Sequence, residues 1–204
     1  FVHEGLWESV QNSQPYESGA FKIVLKTSKM NSLISPKWHG SIQGIVEAPL
    51  NLVWEMISQS NKLSKWMPMV EQCKSVEGKD GEFGYVREVI GDMFPQPDGS
   101  KSWIKEKLSQ MDPRNHTYTY IMESSNVGLE GYTNTIQLLK FGEGTTLVLW
   151  CFEVNPLMGS SQESITDYLG FLYKSSIRKL DMVVQSIIDD KDDIHFQVVA
   201  KEED

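Results

Sequence analysis

From Lys37 to about residue 154, apolar and polar positions alternate in short runs broken by Gly, Pro, Asn and Asp. This is the period of half-buried strands. The first run, "KWHGSIQGIVEAP", sets Trp38, Ile42 and Val46 among small and polar residues. Pro49 then opens "LNLVWEMIS", which reads as a short helix with proline near its start. "NKLSKWMP" reads as a second short helix, stopped by Pro68. Strand-like runs follow at 70–77, 84–91, 102–111, 116–124, 131–140 and 145–154. The breaks between them (Gly78–Gly81, Pro95–Gly99, Asp112–Asn115, Ser125–Gly128, Gly142–Gly144) are turn chemistry and predict consecutive antiparallel hairpins. The period then changes. Ile165, Leu169, Leu172, Ser176, Leu180, Val183 and Ile187 recur at helical steps, one face of a helix of about 30 residues. Ser160 or Ser161 can cap it, and Glu163 and Asp167 sit where the helix dipole favours acid. The order predicts an α+β fold: one curved, seven-stranded antiparallel sheet around a long C-terminal helix, two short helices after the first strand, and room for a cavity. Residues 1–35 read as an N-terminal extension, 36–190 as the domain, and 191–204 as a loose acidic tail.

The hairpin "YVREVIGDMFPQPDGSKSWIKEKL", residues 85–108, breaks the pattern. Arg87 shares a strand face with Tyr85 and Val89, and Glu106 shares one with Ile104 and Leu108. Opposed residues of an antiparallel pair point to the same side. A turn centred between Gln96 and Pro97 sets Arg87 against Glu106, Val89 against Ile104 and Tyr85 against Leu108. A turn at Pro113 then brings Tyr120 beside Glu106, and one at Asn126 brings Tyr132 beside Tyr120. Arg87, Glu106, Tyr120 and Tyr132 are thus expected to form one row across four strands. At a surface such a pair is an ordinary cross-strand contact. Against an apolar cavity it is costly as mere packing. There Arg87 can hold an oxyanion, Glu106 can carry a proton and a tyrosine hydroxyl can orient or relay, which is equipment for proton transfer.

Composition narrows the function. The chain has 204 residues and a net charge of -9, which argues against nucleic acid and anionic membrane surfaces. No apolar run is long enough to span a bilayer. The two cysteines, Cys73 and Cys151, match no metal spacing and are read as core thiols of a reducing compartment. Nothing near Phe1 has the order of a signal peptide, so a cytoplasmic protein is expected. His3, His39 and His195 are too scattered for a metal cage. His116 lies beside a turn, within the sequon Asn115-His116-Thr117, and reads as a surface residue.

Between 37 and about 190 the chain resembles the plant lachrymatory factor synthase group of the polyketide cyclase/START/birch-pollen-allergen superfamily, whose members have the helix-grip fold. The likeness is carried by "VWEMI" (53–57), "KWMPMVEQCKSVEG" (65–78), "GYVREVIG" (84–91), "WIKEKL" (103–108), "YTYIMES" (118–124) and "GYTNTIQ" (131–137). The resemblance implies a catalytic trio of Arg87, Glu106 and Tyr132, a cofactor-free proton shift that turns a sulfenic acid into a thial S-oxide, and no metal. The chain departs from the group in its longer N-terminal extension, in Pro95-Gln-Pro-Asp-Gly99 at one cavity lip and in "NVGLEGY" at the other. It lacks the gate motifs of abscisic acid receptors and the glycine-rich loop of pathogenesis-related class 10 proteins, which sets those branches aside.

The expected ligand contacts are Tyr85, Val89, Trp103, Ile104 and Tyr120 from the early hairpins. Met122, Trp150, Leu169 and Tyr173 complete the wall. The ligand is expected to be a small apolar or amphipathic metabolite. An isomerase or cyclase, a non-catalytic carrier using the same cavity, and a protein-interaction module acting through the extension and tail all remain open at this level.

Overall fold

A computed structural model describes residues 36–202, with backbone alone for 191–202; the expected extension at 1–35 lies outside the described residues. Strand β1 (Trp38–Val46) alternates half-buried and exposed positions, as its sequence predicts. Pro49 has extended backbone and introduces helix α1 (Leu50–Ile57), which buries Val53, Met56 and Ile57. A single 3-10 turn at Ser60–Lys62 leads into helix α2 (Leu63–Trp66), with Leu63 and Trp66 buried. The six later strands are β2 (Val70–Glu77), β3 (Val86–Gly91), β4 (Ser102–Asp112), β5 (Thr117–Ser125), β6 (Thr133–Lys140) and β7 (Thr146–Val154).

All seven strands form one antiparallel sheet in the order β1-β7-β6-β5-β4-β3-β2. Consecutive hairpins give that order directly, except that β1 crosses to pair with β7. Helix α3 (Gln162–Glu202) packs on the inner face. Ser161 caps it: its Oγ accepts from the Ser164 backbone N–H at 3.1 Å. The buried helix positions include Leu169, Leu172, Tyr173, Ser176, Ile177, Leu180 and Val184. Val184, rather than the expected Val183, is the fully buried member of its pair. A Cβ on Gly44 would meet Ile177 Cγ2 at 2.8 Å, so the missing side chain lets α3 approach β1. The helix also does not end near 190. Its backbone continues through the expected loose tail to Glu202, and no Gly or Pro occurs in that stretch to stop it.

The architecture is the sheet around a long helix that the element order predicts, and it is the helix-grip fold that the resemblance implies. Among the described residues, no helix is long and apolar enough to cross a membrane.

Candidate active site in the cavity under the long helix

Arg87 and Glu106 are directly opposed on β3 and β4, as are Val89 and Ile104. Leu108 exchanges both backbone bonds of its position with the chain at Gly84 and Tyr85, which completes the expected register of this hairpin. Arg87 and Glu106 are only 5% and 4% exposed, so the pair is buried. Arg87 Nε donates to Glu106 Oε1 at 2.7 Å, and Nη2 reaches the same oxygen at 2.5 Å. Glu106 Oε2 has one long contact, from Asn134 Nδ2 at 3.5 Å.

The guanidinium is held on two more sides. The Tyr120 ring lies beneath it, with the Arg87 Cζ 3.8 Å from the ring centroid, a cation–π contact. Nη1 donates to Ser60 Oγ at 3.2 Å. Ser60 spends its only hydroxyl proton on Asp80 Oδ1 at 2.9 Å, and its backbone N–H goes to Asp80 Oδ2 at 2.8 Å. The Ser60 oxygen is therefore an acceptor toward the site, and the Tyr120 hydroxyl at 3.4 Å is a donor to it. Burial works against the Arg87 charge, but the Glu106 carboxylate and the nearby tyrosines hold its pKa above the ordinary value. Burial pushes the Tyr120 hydroxyl up to about 12, against the opposing pull of Arg87. Burial likewise raises Tyr173 well above its usual range.

The expected row across four strands is corrected in its outer half. Tyr120 stands opposite Leu108 and Asn134, while Glu106 faces Met122. The Met122 backbone N–H in turn donates to the Tyr132 carbonyl at 2.8 Å. The row is thus Arg87, Glu106, Met122 and Tyr132. Turn geometry is the reason. The β4–β5 turn closes later than Pro113, because Asp112 accepts from the backbone N–H groups of Arg114 and Asn115 and His116 takes a positive φ of 48°. The irregularity between Leu108 and Gln110 takes back one residue of that slip, and a second one, between Lys105 and Glu106, follows the Glu106 pairing. The net slip along β5 is even, so Tyr120 and Tyr132 keep the inner face and only change neighbours.

An inner cavity of about 50 Å³ borders this row, lined by Arg87, Glu106, Tyr132, Asn134 and Trp150, with apolar walls including Leu63, Met67 and Met93. Val89, Ile104, Met122, Leu169 and Tyr173 line it as expected. Tyr85 and Tyr120 are buried on the same face but do not border the cavity; Tyr85 Oη instead bonds Ser75 Oγ at 2.8 Å. Trp103 is not brought to the site. It lies on the outer sheet face with Glu88, Ile90 and Lys105, because it is one residue out of phase with Ile104. The core-thiol reading also fails for Cys151, which is exposed. Cys73 is half-buried, and burial raises it to about 11. Both are free thiols.

An outer cavity of about 410 Å³ adjoins the inner one, sharing Phe94 and Leu169. Its walls come from Phe94–Pro97, from Asn126, Val127 and Leu129, and from Leu157, Ile165 and Tyr168. They include the two lips expected from the sequence, Pro95–Gly99 through Pro95, Gln96 and Pro97, and "NVGLEGY" through Asn126, Val127 and Leu129. Tyr168 Oη bonds the Met93 carbonyl at 2.5 Å and ties this lip to α3.

Three buried polar atoms among the described residues have no hydrogen-bond partner: Trp66 Nε1, Tyr132 Oη and Trp150 Nε1. Tyr132 and Trp150 line the inner cavity. Trp150 is stacked on Tyr173 with centroids 3.9 Å apart, so its indole plane is fixed. Sequence reasoning misses Ser60, Asp80 and Asn134. Asn134 follows Tyr132 by one strand repeat and was legible by parity. Ser60 and Asp80 lie in turns, where no periodicity marks a buried contact.

A sheet gripping a long helix over a two-part apolar cavity defines a helix-grip, ligand-binding architecture. The chain belongs to the polyketide cyclase/dehydrase and lipid transport family, whose model matches residues 38–184. Among curated relatives, the abscisic acid receptor PYL10 of Arabidopsis thaliana is 25% identical over 166 residues, covering 80% of this chain and 88% of the receptor. The abscisic acid receptor PYL2 of the same plant is 23% identical over 147 residues, covering 69% of this chain and 74% of the receptor. Kinship to that branch is therefore detectable, although the missing gate motifs had set it aside. Among solved structures, ginseng major latex-like protein 151 from Panax ginseng superposes with a TM-score of 0.59 at 17% identity, covering 72% of this chain and 97% of its own. The protein XoxI from Bacillus cereus gives a TM-score of 0.60 at 23% identity, covering 73% and 96%. These two likenesses concern the fold alone.

Proposed function

We propose that this protein is a cofactor-independent isomerase or cyclase that shifts a proton on a small apolar or amphipathic molecule, with Glu106 as proton carrier. One observation carries the reading. Glu106 is buried at the cavity with Oε1 fixed by Arg87 and Oε2 held only by the long Asn134 contact. A carboxylate pinned through one oxygen keeps its plane, while the other oxygen is free to take and return a proton. Tyr132 brings an uncommitted hydroxyl to the same cavity, where it can donate to oxygen charge that develops as the proton leaves carbon or oxygen. Arg87 is a positioning residue in this scheme, steadied by Tyr120 and Ser60. The resemblance to lachrymatory factor synthases supports a sulfenic acid as one candidate substrate. The unpaired thiols support a cytoplasmic setting.

The kinship with abscisic acid receptors favours a second reading, a binding protein without turnover. Glu106→Gln separates the two, because it keeps size and hydrogen bonding but removes the titratable proton. Small molecules extracted from the purified protein supply the substrate candidates. For an enzyme, turnover falls by about 10²–10⁴-fold while binding persists. Undiminished turnover in the glutamine variant would remove Glu106 from the mechanism. Binding with no turnover in either form would establish the receptor-like reading.

A further inference from the structure

We infer that the cavity selects an uncharged molecule bearing a hydrogen-bond acceptor, such as a ketone, aldehyde or S-oxide, with an apolar tail, and rejects carboxylates. This names the substrate class of the site above and rests on that site being where the ligand binds.

Among the described residues, Arg87 and Glu106 are the only charged side chains that line the inner cavity, and none lines the outer one. The Arg87 charge is already neutralised by Glu106. Nε and Nη2 face Glu106, Nη1 faces Ser60, and the Tyr120 ring covers the guanidinium. A carboxylate entering here would lose its hydration, meet Glu106 and find no free cation, so it would bear an uncompensated desolvation cost. A neutral head meets no such penalty. The unpaired polar atoms at the cavity, Tyr132 Oη and Trp150 Nε1, can both donate, the phenol being able to accept as well, and both belong to residues at most 5% exposed. Indole N–H can only donate. The complement of that pair is an acceptor oxygen. The dimensions agree: the inner cavity of about 50 Å³ suits a compact polar head, and the adjoining 410 Å³ suits a larger apolar portion.

The test is a matched series, pentan-2-one to nonan-2-one against butanoate to octanoate, titrated by calorimetry at pH 7.5. Within each pair the methyl group of the ketone replaces the charged oxygen. The ketones should bind at least about tenfold tighter than their matched carboxylates, a difference of roughly 1.4 kcal/mol. Tyr132→Phe and Trp150→Phe should each weaken the best ketone by about two- to tenfold, the usual worth of one hydrogen bond. Tyr132→Phe should not lower the melting temperature by more than a few degrees, since its hydroxyl has no partner among the described residues, whereas Trp150→Phe also shrinks a buried ring stacked on Tyr173 and should cost more. Glu106→Gln supplies the decisive sign. It frees the Arg87 charge, so the octanoate-to-ketone affinity ratio should rise by at least about tenfold. Carboxylates binding the wild type as tightly as ketones, no ketone binding at all, or an unchanged ratio in the glutamine variant would each overturn the proposal. Loss of turnover is not read in any of these titrations. Undiminished turnover in Glu106→Gln would therefore reject the proton-carrier role and leave the ligand class standing.

Discussion

Removing one partner of a buried ion pair strands the other, and the cost exceeds the worth of the pair itself. Arg87→Met should therefore destabilise the fold by about 3–5 kcal/mol, since it leaves Glu106 buried and uncompensated. Arg87→Met with Glu106→Leu should recover most of that loss, because hydrophobes of similar volume often replace a buried pair at no cost. Urea denaturation of the two single variants and the double variant closes the cycle. A double variant as unstable as Arg87→Met would show that the arginine serves the core through its packing on Tyr120 rather than through Glu106. The charged pair was the most legible feature of the site, because a lone base and a lone acid on apolar strand faces can meet in only one register. Its support was less legible. The Asp80–Ser60 contact crosses from one turn to another, and turns carry no repeat from which a buried partner could be read.

At the scale of elements, alternation and turn chemistry predicted each strand of the sheet to within a few residues, and the helical period marked the buried face of α3. The two tyrosines were placed on the right face beside the wrong neighbours, because parity survives an even slip and neighbour identity does not. Sequence patterns of apolar and polar residues mark faces; irregular pairing such as that around Glu106 and Leu108 leaves no trace in them. The end of β3 offers a test of how tightly such irregularities are built. Gly91 lies where β2 shifts register, and a Cβ there would sit 2.0 Å from the Met69 carbonyl oxygen. Gly91→Ala has to move backbone, so a loss of about 1–3 kcal/mol is expected in thermal or chemical denaturation. A variant as stable as wild type would mean that the Met69–Glu71 segment yields freely.

For the molecule as a whole, the buried acids set its tolerance of alkali. Cys73 is raised from 9.0 to about 11 and Tyr120 from 10.0 to about 12, burial being the main cause of each. Both are held protonated in the fold after the unfolded chain has begun to lose their protons. Their contribution is complete below about pH 9 and is lost as pH rises through 11 for the thiol and 12 for the phenol. The melting temperature should fall across that window, and Tyr120→Phe should make the upper part of the fall shallower. An equally steep fall in that variant would assign the alkaline loss to other groups. At this scale the fold class, the long helix against one sheet and the cavity between them were legible, since each follows from element order and burial. The partition of the cavity was not. It depends on where Phe94 comes to rest beside Leu169, and the lip loop that carries Phe94 has no period to announce it.

The irregular pairing in β4 and β5 has a consequence for descent. A tyrosine is presented to Glu106, or withheld from it, by where the β4–β5 turn closes, two residues of register at a time, since an odd slip carries it to the outer face. Relatives could thus exchange the hydroxyl that meets the carboxylate through a small insertion or deletion far from the cavity, with every cavity side chain unchanged. Two chains of this family with identical site residues could then run different chemistry, and aligning them column by column would hide the reason.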